Sequence, residues 1–518
     1  MSDTPRPTAC RSDASFAELA AVAASLVVAV VAAPALAALS AGLPVAYAWA
    51  RPLNLDEFHT LLLVEEPTIR SMIAKLAEGG DYNPPGLFFV LRPWTTVFGT
   101  TEPALRAFST TVMVLGLFGL YVALRKGTSR WPASAATLAA WGGLPLLQTE
   151  AVDARFYALW FATAAWLAAV LPTFFERGGI GRAMTAAGLS VLMCLSHYFG
   201  VLALIALAGG QLIAERLAGQ PIGRSLPRLW PTLAGPAALA ACLPLYLGQR
   251  AALEVPTWLA PSGRAAIEQL IDPFFRSLTL AGAALVLVAS IACRAARSEA
   301  MLRSAEITVR PLGASLGLLG LPFVLLAFHF VVQPVSVARY AIPAVIGVAA
   351  AAAVLLACCD RKWIALGVFA LMPAATLRLQ PDLWDADRQH APARLARTLV
   401  PQTRSGYPLV FAGRGDGYSA WRYSGLSADA IRLAYPDGEE NVSVFDRLER
   451  SVARRMKRLF GTPAPIGNAE LLDGGPFVFS TTSSSCDVER RFPEANVRRL
   501  AESGPMAAYL VTPAADDR

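Results

Sequence analysis

The run Arg106-Ala-Phe-Ser-Thr-Thr-Val-Met-Val-Leu-Gly-Leu-Phe-Gly-Leu-Tyr-Val-Ala-Leu124, closed by Arg125-Lys126, decides the fold. After its opening arginine it carries no charge until the closing pair. Roughly 20 such residues cross a bilayer as a helix, because only a helix satisfies its own backbone hydrogen bonds in hydrocarbon. Comparable runs lie near 20–44, 86–99, 131–148, 155–175, 184–218, 229–248, 277–296, 311–333, 340–359 and 363–380. The run at 86–99 is short enough for half of a re-entrant pair, and that at 184–218 is long enough for two spans. The expectation is an α-helical polytopic membrane protein of about eleven transmembrane helices.

Composition agrees with lipid as the main solvent. The 518 residues are 55% hydrophobic and only 16% charged, with a mean hydropathy of +0.46. A net charge of +7 is not a nucleic-acid footprint, since the basic residues form no stripe with interleaved aromatics; no nucleic-acid partner is expected. The seven cysteines contain no CxxC pair and read as small buried hydrophobes. The first apolar run, 17–49, is too long for a signal h-region and reads as a retained signal anchor.

Loop charge sets the orientation. Arg125, Lys126 and Arg130, then Arg177 and Arg182, Arg216, Arg224 and Arg228, Arg294 to Arg310, and Arg361 with Lys362 fall in one set of loops. The alternate loops gather Asp56, Glu57, Glu65, Glu66, Glu78, Asp81, Glu102, Glu150, Asp153, Glu254 and Asp272. The acidic side is therefore expected outside a cytoplasmic (inner) membrane, with the N-terminus cytoplasmic. Arg51, Arg70, Arg92, Arg106 and Arg155 lie on the acidic side against the rule and need another cause. The transmembrane module is read as 1–380. Residues 381–518 read as a small extracytoplasmic α/β domain, with strands at 407–412, 476–480 and 507–511 and an Arg-rich amphipathic helix at 442–460.

Three stretches carry chemistry. Asn54-Leu-Asp-Glu-Phe-His59 places two adjacent carboxylates just after the first span, where one can take a proton from a hydroxyl and its neighbours tune its pKa. Asp81-Tyr-Asn-Pro-Pro-Gly86 fixes how the chain re-enters the membrane, since consecutive prolines lack donors and restrict φ. Glu150-Ala-Val-Asp-Ala-Arg-Phe-Tyr157 offers another carboxylate with an arginine suited to phosphate. Gly413-Arg-Gly-Asp-Gly417 lacks the Lys-Ser/Thr ending of a nucleotide phosphate loop and reads as a turn.

The order of these pieces resembles the GT-C glycosyltransferase clan that includes protein O-mannosyltransferases and lipid A aminoarabinose transferases. The matching residues are Asp56-Glu57, Asn83-Pro84-Pro85, Leu105-Arg106 with Ser109, Asp153-Ala-Arg155-Phe-Tyr157, Ser196-His-Tyr-Phe-Gly200 and Arg339-Tyr340 with Pro343, over about the first 345 residues. The resemblance implies a GT-C fold and a sugar donor linked to polyprenyl phosphate. It implies a glycolipid, glycan or protein as acceptor, and membrane lipid as surroundings. Asp56, Glu57 and Asp153 become the catalytic candidates. Arg155, Tyr157, Asn83, His197, Tyr198, Arg339 and Tyr340 become the substrate-binding candidates. Asp56 would be the base, with Arg155 and Arg339 on the donor phosphate. This sequence departs from the clan at Asp153, where Glu is common, and at Asn83, where His is frequent. No four-ligand metal site is visible, and a divalent cation is left open as a cofactor. The competing class is a polytopic transporter or flippase, which would show broken-helix pairs and repeat symmetry near the midplane.

Overall fold

The structure, a computed structural model, describes residues 52–143, 145–252, 267, 309–332, 338–357, 386–401, 406–412, 414–435, 444–482, 485–503 and 506–513. The expected spans at 20–44, 277–296 and 363–380, the signal anchor and the boundary at 380 lie outside these residues.

Helix α1 (Leu55–Val64) follows Pro52 and Leu53 and leads through α2 (Ile69–Lys75) to a π-helical turn at Leu76–Gly80. Pro84-Pro85 then starts α3 (Gly86–Phe98). At about 1.5 Å per residue, α3 is too short to cross hydrocarbon, in keeping with re-entry. Helix α4 (Glu102–Gly127) contains the quoted apolar run. Thr101 caps it by accepting the Ala104 amide, and Arg125 and Lys126 occupy its last turn, where cations suit the helix dipole. Then come α5 (Arg130–Gly143), α6 (Pro145–Ala151), α7 (Tyr157–Arg177), α8 (Ile180–Ser196) and α9 (Gly200–Leu217). The long run at 184–218 thus breaks in two at His197-Tyr198-Phe199.

The run at 229–248 becomes a 3-10 segment and two short helices, α10 (Ala234–Ala241) and α11 (Leu243–Ala251), bent by 43° at their junction. Helices α12 (Val309–Gly317), α13 (Leu321–Val331) and α14 (Ala344–Ala357) follow among the described residues. Among the described residues, 4 helices are long and apolar enough to cross a membrane, or up to 5 if the bent pair is one span.

Close packing in this layer relies on small residues, as it must where lipid removes the hydrophobic drive between helices. A Cβ on Gly210 of α9 would lie 2.4 Å from the Gly313 carbonyl oxygen and from the Gly317 Cα of α12. Beside this crossing, Arg310 grips the buried Glu215 carboxylate through two bonds of 2.7 Å.

The C-terminal segment opens with α15 (Ala386–Thr398) and builds one six-stranded sheet. Its strands are β1 (Leu409–Phe411), β2 (Ile431–Tyr435), β3 (Ala464–Gly467), β4 (Phe477–Thr481), β5 (Ala495–Ser503) and β6 (Met506–Pro513), in the order β3-β2-β1-β4-β6-β5. Strands β3, β2, β1 and β4 run parallel, and β6 and β5 turn antiparallel. Each of the three strand expectations overlaps a strand: 407–412 contains β1, 476–480 overlaps β4 and 507–511 lies within β6. The amphipathic helix is α17 (Val444–Phe460), preceded in the chain by α16 (Arg414–Ser424).

Helix α16 corrects one expectation: of the glycine-rich stretch read as a turn, residues 414–417 open this helix, and residue 413 lies outside the described residues. Gly417 serves packing, since a Cβ there would meet the Leu433 side chain of β2 at 2.1 Å.

Candidate active site

Asn54 begins the site. Its side chain accepts the Glu57 amide at 2.9 Å while Glu57 Oε2 accepts the Asn54 amide at 2.8 Å, a capping box that fixes the first turn of α1. The Asn54 Nδ2 also donates to Asp153 Oδ1 at 2.6 Å, so the turn ahead of α7 is tied to the start of α1.

The two adjacent carboxylates then part company, since neighbouring residues on a helix point in different directions. Glu57 turns inward and is fully buried. It pairs with the equally buried Arg106 of α4 through Nε at 3.2 Å and Nη2 at 3.0 Å, and it accepts the Ala154 amide at 3.0 Å. Asp56 turns the other way. Its Oδ2 lies 3.0 Å from Arg339 Nη2, and about a third of each side chain stays exposed, 36% and 33%.

Arg155 and Asp81 form the second pair. Arg155 Nη1 donates to Asp81 Oδ2 at 2.5 Å, to the Asp56 carbonyl at 3.1 Å and to Thr60 Oγ1 at 3.2 Å. The loop carrying Asp81 is itself held. The Asn83 amide donates to Asp81 Oδ1 at 2.7 Å, and Gln249 of α11 donates to the carbonyls of Asp81 and Asn83, both at 3.0 Å. Tyr198 donates its hydroxyl to Gln249 in turn. Asn83 and Tyr198 therefore reach the site through Asp81, as parts of its support.

His197, Tyr157 and Tyr340 occupy an aromatic box. The His197 ring stacks on Trp160 at 4.6 Å and 12° and lies 4.9 Å from both Phe156 and Tyr340. Its Nδ1 accepts the Phe199 amide at 3.0 Å, which commits that nitrogen to the break between α8 and α9. The Arg339 guanidinium sits over the Tyr157 ring, 5.2 Å from its centre. His197 is buried; Tyr340 is half-buried.

The electrostatics follow from this crowding of charge. Burial alone would raise the Asp56 carboxyl, but Arg155 and Arg339, with His59, hold it down at about 2. His59 is pushed down to about 4 by burial and by Arg414, and its Nε2 has no hydrogen-bond partner among the described residues. Glu150 moves the opposite way. Burial, reinforced by Asp153 and opposed by Arg339, raises its carboxyl well above the ordinary value, and its Oε2 is unpartnered among the described residues.

Three of the arginines that broke the loop-charge rule now have partners; Arg51 lies outside the described residues. Arg106 neutralises Glu57, Arg155 neutralises Asp81, and Arg92 donates to the Pro67 carbonyl at 2.7 Å. Sequence reading missed Asp81 as the partner of Arg155, Gln249 as the brace of its loop, and the charge coupling of Glu150 to Asp153. Asp81 and Glu150 each carried a signal, as the residues that open two of the quoted stretches. No group of three or more His, Cys, Asp or Glu side chains suited to a metal ion occurs among the described residues.

The arrangement of helices is that of a multi-pass membrane protein with the GT-C fold. The chain is similar to ArnT from Cupriavidus metallidurans in the apo state, with a TM-score of 0.54 and 14% identity, over 96% of this chain and 98% of that one. Against the same protein bound to undecaprenyl phosphate, the TM-score is 0.52 and the identity 12%, again over 96% and 98%. No family model matches the sequence, and no curated protein matches it.

Proposed function

We propose that the protein transfers a sugar from a polyprenyl-phosphate donor to an acceptor hydroxyl or amine on a glycolipid, glycan or protein, at the outer face of the cytoplasmic membrane. One observation carries this reading. An ionised carboxylate, Asp56, and a partly open guanidinium, Arg339, stand side by side where most other charges are buried and paired. Transfer needs that pairing of functions. The acceptor oxygen or nitrogen bonds to the anomeric carbon as the bond from that carbon to the phosphate oxygen breaks. The acceptor proton passes to Asp56, and the electron pair leaves with the phosphate, whose charge Arg339 balances.

The remaining roles follow from exposure. Glu57 and Asp153 are positioning residues: the first is locked to Arg106, and the second holds Asn54. Arg155, forked on Asp81, is the less open of the two candidate phosphate ligands, and it fixes the backbone of Asp56 through the carbonyl it binds. Tyr157 and Tyr340 line the approach to Arg339, with His197 packed behind Tyr340. Further support comes from the solved structure of the same fold that holds undecaprenyl phosphate, the kind of lipid left when such a donor gives up its sugar.

The test is purified protein in lipid nanodiscs given a polyprenyl-phosphate sugar, with released polyprenyl phosphate as the readout. Turnover of a nucleotide sugar without any polyprenyl phosphate would contradict the assignment.

A further inference from the structure

Tyr423 lies at the end of α16, 370 residues along the chain from Leu53, yet its hydroxyl accepts the Leu53 amide at 2.9 Å. The same hydroxyl donates to Glu102 Oε1 at 2.8 Å. Arg397 of α15 donates to the Tyr423 carbonyl through Nε at 2.8 Å, which anchors the tyrosine to its own segment. Leu53 immediately precedes Asn54, the cap of α1. Three residues beyond Leu53 is Asp56.

The contact extends along α1. Phe58 meets Tyr418 edge-on at 6.0 Å and Tyr423 at 6.4 Å, and Arg422 reaches Glu65, the C-cap, at 3.5 Å. Helix α16 therefore grips α1 before its start, in its middle and at its end. Glu102 and Arg106 are one turn apart on α4, so they face the same side of that helix. Tyr423 bridges Leu53 to the first, and Glu57 binds the second. The opening of α1 is thus pinned between α4 and α16 by two rungs, with Asp56 between their attachment points.

We propose that Tyr423 is a positioning residue for sugar transfer, and that the C-terminal sheet-bearing segment is part of the catalytic apparatus because it sets the placement of Asp56 against Arg339 through Leu53 and Glu102. The inference rests on the proposed transfer reaction with Asp56 as base. Misplacing a catalytic group by about 1 Å can cost up to ~100-fold in rate, so two hydrogen bonds at the root of this helix suffice to matter. Exposed Arg422–Glu65 is the weakest part of the grip and carries little of it.

The experiment uses the full-length protein. Tyr423→Phe keeps the ring against Phe58 and removes both hydroxyl bonds. The expected result is a fall of about 10-fold or more in kcat with polyprenyl-phosphate binding unchanged within about twofold. In an Asp56→Asn background, Tyr423→Phe should cost little further, since no proton acceptor is left to place. Glu102→Leu removes one rung without touching the tyrosine and should show the same split; it decides the matter if Tyr423→Phe fails to fold. Wild-type kcat in the folded variant, or kcat and lipid binding falling together, would overturn the positioning role. The base reading fails separately, if Asp56→Asn alone retains full turnover.

Discussion

Asp56 Oδ2 and Arg339 Nη2 lie 3.0 Å apart, a carboxylate and a guanidinium drawn from residues 283 positions apart and left partly open to solvent. Arg339 thus restrains the carboxylate proposed as the base, and a donor phosphate arriving at Arg339 would compete for the same guanidinium. Arg339→Lys keeps the charge and loses the planar fork. Donor affinity should fall about 10-fold or more, the worth of one hydrogen bond to a charged group. Equilibrium binding of polyprenyl phosphate to the purified variant checks this.

Glu57 and Arg106 make the opposite case, an ion pair with no exposed surface. Removing one partner leaves a buried charge unpaired, which costs about 3–5 kcal/mol. Glu57→Gln and Arg106→Leu should therefore lose thermal stability, read as a lowered Tm in detergent. The double substitution Glu57→Gln with Arg106→Leu should recover part of that loss.

Glu150 gives a pH dependence with a definite sign. Its folded carboxyl titrates well above the ordinary 4.5, so between that value and the raised one the folded state holds a proton that the unfolded state has lost. Stability then decreases as pH rises through this window. Glu150→Gln, which cannot ionise, should match the wild-type Tm below about pH 4 and exceed it increasingly toward neutral and alkaline pH. A difference independent of pH would contradict the assignment.

Much of the site was legible because chemistry leaves local marks: paired acids after a span, arginines at helix ends, a double proline at a re-entry. What sequence could not supply was pairing over distance. Asp56 and Glu57 look equivalent as neighbours, yet one is sealed against Arg106 and the other faces Arg339, and only tertiary packing separates them. Gln249 and Tyr423 bear no motif at all; their roles come from where α11 and α16 settle. The stretch at 413–417 misled for a related reason. Its glycines suggest a turn, whereas at Gly417 the missing side chain serves contact with Leu433. Of the expected spans, several became short or broken helices, since apolar composition alone does not separate a crossing helix from a re-entrant or buried one.

Membrane orientation is open to direct measurement. A reporter fused after Gln380 should read as external, and one fused near Arg125 as cytoplasmic. The reverse pattern would put Asp56 on the wrong face for a donor displayed outside.

In the proposed reaction Asp56 takes the acceptor proton. Asp56→Asn keeps size and hydrogen bonding and removes the proton acceptor, so single-turnover transfer from a polyprenyl-phosphate sugar should drop by roughly 10²–10⁴-fold. Lipid binding and Tm should stay near wild type, since Asp56 is partly exposed and Glu57 and Asn54 hold the helix start without it. A correctly inserted Asp56→Asn protein that transfers sugar at the wild-type rate would remove Asp56 from the mechanism.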